Sequence, residues 1–188
     1  ARNVHTAVRQ SSATARDLIE ARSHLEEQCA SLAAQRATDT DIEQLEIALK
    51  AFDDATSLIP RAQADIAFHS LIAKSTHNPV LLVMFGSITK LAFDTMLRSL
   101  SDPKIYAVGA PLHGVILNAI KKRDPKAALG AMSKHIHLAE KSYKSDLDRQ
   151  LSEIAERIVK DVLHTTLSVD QILDAALQNY SLGIPNKL

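Results

Sequence analysis

The stretch PRAQADIAFHSLIAKSTHNP, residues 60–79, has the pattern of a single amphipathic helix. Its apolar residues recur three or four positions apart, at Ala64, Phe68, Leu71 and Ile72. This spacing is that of a helix with one buried face. We expect the helix to begin near Pro60 and to end before Asn78-Pro79, because the residue before a proline is disfavoured in helical conformation.

The same stretch places a carboxylate and an imidazole four residues apart, at Asp65 and His69. On a helix both side chains leave the same face one turn apart, so the two can bind one metal ion. A solvated pair is the alternative, because Asp and His often occur at this spacing by chance. Both residues flank the apolar face, however, and a carboxylate there needs a partner, since desolvating it alone costs several kcal/mol.

The composition of the 188 residues favours one all-α domain. Only five Gly and six Pro occur, with no Trp, and β-branched runs are few. The 22 basic and 22 acidic residues balance, whereas a stand-alone nucleic-acid-binding domain is normally basic. Cys29 is the only cysteine, which excludes an internal disulfide. No apolar run approaches the roughly 18 residues of a membrane span, so we expect a soluble, cytoplasmic protein.

The periodic segments predict an antiparallel bundle of about seven helices between residues 14 and 163. Helices are expected at residues 14–37, after a cap at 38–41, at 60–78, at 79–101, at 111–122, from 125 and at 145–163. Residues 104–111 are interpreted as an irregular or short helical connection. Residues 1–13 are interpreted as a linker, and residues 164–188 as an extension whose short helix starts at Ser168.

Arg22 is predicted to face the interior from the first helix. It lies four residues after Leu18 and three before Leu25, on a stripe that continues through Cys29. A buried guanidinium needs an anionic partner. Two partners stay open: a bound anion, or Glu26 four residues further along the same helix.

Two further histidines fall on buried stripes. His113 lies three residues before Ile116, and His135 lies three residues after Met132. Both spacings keep the imidazole on the apolar face of its helix. His137 is two residues beyond His135, roughly 200° around the helix, and should face away.

One aspartate and three histidines are therefore predicted to point inward: Asp65, His69, His113 and His135. Each histidine alone is more often a core residue bonded to a backbone carbonyl or a buried carboxylate. Burying three imidazoles without a shared partner costs desolvation three times, whereas a divalent cation satisfies all of them. The donors suit zinc, nickel, manganese or iron. They either close a tetrahedral site or leave positions for water and a ligand carboxylate, which Arg22 would also bind.

The same residues carry a resemblance to a known family. The motifs are D-x-x-F-H at Asp65 to His69 with Asn78 following, H-x-x-I-x-x-A-I-x-x-x-D at His113, Ile116, Ala119, Ile120 and Asp124, A-x-x-x-M-x-x-H at Ala128, Met132 and His135, and Arg22 with Leu25-Glu26. Over about residues 15–160 the chain thus resembles the FCD domain. That domain is the C-terminal, effector-binding part of GntR-family bacterial transcription regulators.

The resemblance implies a divalent metal, bound by Asp65, His69, His113 and His135 at the floor of a cavity. Zinc is the first candidate for this metal. It implies that Arg22 holds the carboxylate of a small organic or sugar acid. It further implies a homodimer that binds operator DNA through an N-terminal winged helix-turn-helix. Residues 1–13 are too few for such a domain, so we expect a fragment or an isolated sensor domain, with no membrane association.

Two other functions stay open at this point. Three histidines and a carboxylate around an open metal suit a metal-dependent all-α hydrolase that activates water. The sequence offers no strong candidate for a general base beside that site. A structural bundle whose histidines pair with one another would bind no metal. We therefore predict a regulator domain and not an enzyme.

Overall fold

Seven helices lie in the residues that the computed structural model describes, which are 7–8, 11–143 and 146–158. They are α1 (Ala15–Arg36), α2 (Asp39–Asp54), α3 (Leu58–Lys74), α4 (Pro79–Ser101), α5 (Pro103–Lys121), α6 (Pro125–Tyr143) and α7 (Leu151–Ile158). The described residues contain no strand, and their one β-type feature is an isolated antiparallel bridge between Thr14 and Gln150. The predicted all-α fold class is confirmed.

Short polar residues set where the helices begin. Thr14 and Thr38 each form a capping box with an aspartate three residues further on. Asn78 and Asp102 cap α4 and α5 through their side-chain oxygens, and a proline follows each of them in the first turn. Such caps satisfy amides that have no partner within the helix. They explain why α1, α2 and α4 begin where the sequence predicts.

Helix α1 makes contacts across the whole bundle. Its largest interface is with α6, and it also contacts α3, α4 and α5. The other large interfaces join neighbours along the chain, α2 with α3, α3 with α4, and α5 with α6. Buried apolar side chains from all seven helices form one main core cluster. Polar side chains that project into this core therefore need partners there.

Helix α5 is longer than predicted. The segment 104–111, expected as an irregular or short helical connection, is a continuous part of α5, which passes through Pro111. A proline in a helix interior removes a backbone hydrogen bond and costs ~3 kcal/mol. Burial of Gly109, His113 and Ile116 on either side of it offsets that cost, so tertiary packing overrides the local signal.

The segment before α7 also differs from the prediction. The sequence predicts a helix from about residue 145, whereas α7 begins at Leu151. The preceding backbone instead bonds to the start of α1, from Ala15 N to Arg149 O, Arg16 N to Leu147 O and Leu151 N to Ala13 O, at 3.2, 3.0 and 2.9 Å. Residues after Ile158, including the short helix predicted from Ser168, lie outside the described residues, as do residues 1–6 and 9–10.

Helix α4 bends by 57° between its halves, Pro79–Thr89 and Leu91–Ser101. In the first half, the hydroxyls of Ser87 and Thr89 each donate to the carbonyl four residues earlier, a bond that often bends helices. Together the two halves have the length and apolar composition of a membrane span. Among the described residues, no single helix is long and apolar enough for one.

Candidate metal centre

The four predicted ligands lie together inside the bundle, Asp65 and His69 on α3, His113 on α5 and His135 on α6. One ligand atom of each lies within 4.8 Å of the others. His135 is partly buried and the other three are buried. His137, two residues further along α6, has 50% of its side chain exposed, as its position on the helix predicts. Three separate helices thus bring the predicted residues to one place.

His69 lies between a carboxylate and a second imidazole. Its Nδ1 donates to Oε2 of Glu26 at 2.5 Å, and its Nε2 lies 3.2 Å from Nε2 of His135. With the proton on Nδ1, Nε2 presents its lone pair. A carboxylate bonded to the far nitrogen is the usual support of a metal-binding histidine. The contact with Glu26 therefore orients His69 as a ligand would be oriented.

His113 is oriented by a backbone carbonyl. Its Nδ1 donates to the oxygen of Ala110 at 3.1 Å, which again leaves the lone pair on Nε2. That nitrogen lies 2.7 Å from Oδ1 of Asp65. The two atoms are therefore each other's close polar contact. Because one carboxylate oxygen and three imidazole nitrogens lie within 4.8 Å of one another, a divalent cation could bind all four side chains, so the residues present fit a metal ion.

Burial and neighbouring charges set the protonation of these groups. Burial raises the pKa of Asp65, but the attraction of His113, His69 and Arg22 outweighs it and lowers the pKa below its usual value. Burial, with repulsion from His113 and His69, holds the pKa of His135 well below its usual 6.5. Near neutral pH, Asp65 is therefore ionised and His135 is neutral. These are the forms in which the two side chains bind metals.

A buried ion pair supports His69 from behind. Nε of Arg22 donates to Oε1 of Glu26 at 2.7 Å, and the two side chains are only 3% and 2% exposed. Burial raises the pKa of Glu26, but the attraction of Arg22 and His69 outweighs it and holds the pKa at about 2. Glu26 is therefore an anion at neutral pH and accepts the proton of His69 Nδ1 as a hydrogen bond.

The role of Glu26 toward His69 was missed in the sequence. The predicted inner stripe of α1 passed through Leu25, but the structure buries Glu26 and leaves Leu25 only partly buried. A signal was present, because Glu26 lies four residues after Arg22 and three before Cys29. That spacing puts it on their face of the helix. The sequence predicts Glu26 only as a possible partner of Arg22, and only the fold brings His69 of α3 against it.

A small cavity, of about 40 Å³, adjoins the ligands. Arg22, Asp65, His113 and His135 all contribute to its lining. The predicted effector-binding arginine thus borders the same space as three of the four predicted ligands. Arg22 pairs with Glu26, one of its two predicted partners, and also lines the cavity; its binding of an anion stays a prediction.

Comparison with known families matches residues 17–138 to the FCD domain. The Glc operon transcriptional activator of Escherichia coli strain K12 is 31% identical over 136 residues, which are 67% of this chain and 54% of that protein. The Uxu operon transcriptional regulator of the same strain is 32% identical over 130 residues, 64% of this chain and 50% of that protein. The chain spans about half the length of the curated relatives it matches. These relatives are transcription regulators, not enzymes.

A solved structure supports the same relationship. Streptococcus agalactiae GntR superposes with a TM-score of 0.56 at 27% sequence identity, covering 68% of this chain and 58% of that chain. The region matched by the family, 17–138, contains Arg22 and all four predicted ligands.

Proposed function

This chain belongs to the FCD domain family of GntR-type transcription regulators, and from that premise we propose that it senses a small carboxylate at a bound divalent metal. Asp65, His69, His113 and His135 would hold the metal. One oxygen and three nitrogen donors suit zinc first, with nickel, manganese or iron as alternatives. The bound cation would supply the positive charge that attracts an anionic effector.

The observation that carries this proposal is that four metal-binding side chains from three helices, Asp65, His69, His113 and His135, bring ligand atoms within 4.8 Å of one another. Hydrogen bonds hold Nδ1 of both His69 and His113, which leaves their Nε2 atoms toward the cluster. A divalent cation there would bind the carboxylate and the three imidazoles together.

Arg22 supports an anionic effector. A guanidinium carries five N–H donors, and Glu26 accepts from Nε. The cavity that Arg22 lines also borders the proposed metal ligands. A carboxylate in that cavity would be attracted by the metal and by the guanidinium together. A small organic or sugar acid has this chemistry.

The site is placed where an effector can move several helices. Its ligands and their supporting side chains come from α1, α3, α5 and α6. An effector that binds one arrangement of these helices more tightly than another shifts the population toward it. In a regulator that carries this domain, we expect that shift to act through a homodimer on an N-terminal winged helix-turn-helix that binds operator DNA.

Elemental analysis tests the metal. Protein purified without a histidine tag and without added metal should contain about one equivalent of a transition metal. His113→Ala should lose most of it. A parent protein that takes up no metal, even after incubation with zinc or nickel, would contradict the metal centre.

Calorimetry tests the effector. Glycolate, lactate, malate and glucuronate would be titrated into zinc-loaded protein and into chelator-treated protein. At least one acid should bind the loaded form and not the treated form. Arg22→Lys should weaken that binding about tenfold, because lysine keeps the charge but loses the bidentate fork. Equal binding of the acid to the zinc-loaded and the chelator-treated protein would show that the metal has no part in effector recognition.

A further inference from the structure

Apart from the proposed metal centre and Arg22, few of the described side chains that line the cavity are polar. Among them, Ser99 and Tyr106 alone bring a further hydroxyl. Most of the remaining lining is aliphatic, including Met96, Leu100, Ile105 and Leu138. An effector with a hydroxyl on every carbon, such as a sugar acid, would leave most of those hydroxyls without a partner, and each would cost free energy.

The volume leads to the same restriction. A cavity of about 40 Å³ can hold about three water molecules, because each needs about 10–15 Å³ of such cavity volume. In liquid water, three molecules occupy about 90 Å³. Acids of two or three carbons are of that size. A six-carbon sugar acid has more than twice as many non-hydrogen atoms as a three-carbon acid and does not fit.

Two residues on facing helices limit the size of this cavity. Gly109 on α5 and Leu138 on α6 both line the cavity. A methyl group at position 109 would lie 3.1 Å from Cδ2 of Leu138, which is closer than the roughly 3.5–4.0 Å that carbon atoms prefer. The space between α5 and α6 therefore depends on the absence of a side chain at Gly109 and on the size of Leu138.

We infer that the effector is a short aliphatic carboxylate of two or three carbons, and that Gly109 and Leu138 together set the longest carbon chain the site accepts. This inference rests on the proposed function, because the cavity is the one beside the metal centre. The carboxylate lies with Arg22 and the metal, and the carbon chain lies against the aliphatic lining.

The test is a series of 2-hydroxy acids of increasing length, titrated calorimetrically into zinc-loaded protein. The series is glycolate, lactate, 2-hydroxybutanoate and 2-hydroxyhexanoate, with glucuronate as the polyhydroxylated comparison. Glycolate or lactate should bind most tightly. The hexanoate and glucuronate should each bind at least about tenfold more weakly, the discrimination expected when a pocket lacks room for added carbon atoms.

Substitutions at the two positions should move this length limit in opposite directions. Gly109→Ala should weaken lactate binding about tenfold or more, while the helix itself becomes no less stable, since alanine is the better helix former. Leu138→Ala should admit 2-hydroxybutanoate and 2-hydroxyhexanoate. In the double variant the new methyl group occupies space that the leucine vacates, so lactate affinity should return toward that of the parent. Leu117→Ala is the matched control, because Leu117 is a buried leucine of α5 outside the cavity lining.

The outcomes separate this inference from the proposed function. A parent protein that binds no acid of any length in its zinc-loaded form overturns the proposed function. A parent that binds glucuronate as tightly as lactate, or a Leu138→Ala variant with the same length preference as the parent and Leu117→Ala, overturns only the inference. If Leu138→Ala does not fold, Gly109→Ala decides, and unchanged lactate affinity in that variant overturns the inference.

Discussion

Oε2 of Glu26 lies 2.5 Å from Nδ1 of His69, and this contact determines which nitrogen of His69 meets His135. The carboxylate accepts the Nδ1 proton, so the lone pair of His69 is on Nε2, 3.2 Å from the Nε2 of His135. Arg22 donates to the other carboxylate oxygen of Glu26, Oε1, and balances its charge. A helix that supplies none of the four proposed ligands therefore controls the orientation of one of them.

Glu26→Gln should weaken metal binding without removing a ligand. The amide is neutral and no longer balances Arg22, and it is a poorer acceptor for the His69 proton. Loss of such a supporting carboxylate typically lowers metal affinity about 10–100-fold. Competition of the zinc-loaded protein with a chelator of known affinity measures the change. Glu27→Gln is the control, because Glu27 accepts from Ser23 on the same helix. Equal zinc affinities in the two variants would show that Glu26 has only a structural role.

His135→Ala and His137→Ala form a matched pair on α6. The two imidazoles are two residues apart, but His135 lies in the cluster and His137 is half exposed. Zinc stoichiometry should fall well below one equivalent in His135→Ala, because a tetrahedral site would lose one of its four ligands. His137→Ala should retain the metal content of the parent. Retention of a full equivalent in both variants would exclude His135 as a ligand.

The inward placement of Asp65, His69, His113 and His135 could be predicted from the sequence because it depends on local geometry. The helical repeat alone places Asp65 and His69 on one face, and puts His135 and His137 on opposite faces. Caps such as Thr38 and Asn78 marked helix starts because their side chains act within one turn. These features need no knowledge of how the helices pack.

The features that could not be predicted depend on contacts between distant segments. The turn at residues 146–150 is held by the backbone around Thr14, more than 130 residues earlier, and no local pattern encodes that pairing. By local rules Pro111 begins a helix, but it lies inside α5 because residues on both sides of it are buried. Glu26 likewise gained its second role only when α3 packed against α1.

Acid should destabilise the metal-free protein through His135. Burial holds the pKa of this imidazole well below its usual value of 6.5, so the unfolded chain takes up a proton near that pH while the folded chain does not. The unfolded state then binds more protons, and the free energy of unfolding falls as the pH decreases below about 6.5. Urea titrations between about pH 7.5 and pH 5.5 should show this decrease, and His135→Gln should make it smaller.

Protonation of His135 also competes with metal binding. Histidine must be neutral to bind zinc, so the stabilisation that zinc adds should shrink over the same pH range. Thermal unfolding with and without zinc at each pH measures it. His137→Gln is the control, and its zinc-induced shift should follow that of the parent. A zinc-induced shift that is constant from about pH 7.5 to pH 5.5 would contradict histidine coordination.

Arg98 should contribute to stability and not to the metal centre. Its Nε donates to the carbonyl of Ser142 at 3.0 Å, its Nη2 donates to Asp146 at 3.1 Å, and its guanidinium lies 4.7 Å from the ring centroid of Tyr143. These contacts fasten α4 to the end of α6 and to the turn that leads into α7. Burial raises the pKa of Asp146, but the hydrogen bonds from Arg149 and Arg98 outweigh it and lower the pKa.

Arg98→Met keeps much of the side chain's bulk but removes both hydrogen bonds. We expect the free energy of unfolding to fall by about 1–3 kcal/mol, because the carbonyl and the carboxylate lose a charged donor in a largely buried setting. Arg16→Met is the control, since Arg16 pairs with Asp148 at the exposed surface and such pairs contribute little. Urea unfolding measures both variants, and zinc content should match the parent in each. A loss of zinc in folded Arg98→Met would show instead that α4 positions the metal centre.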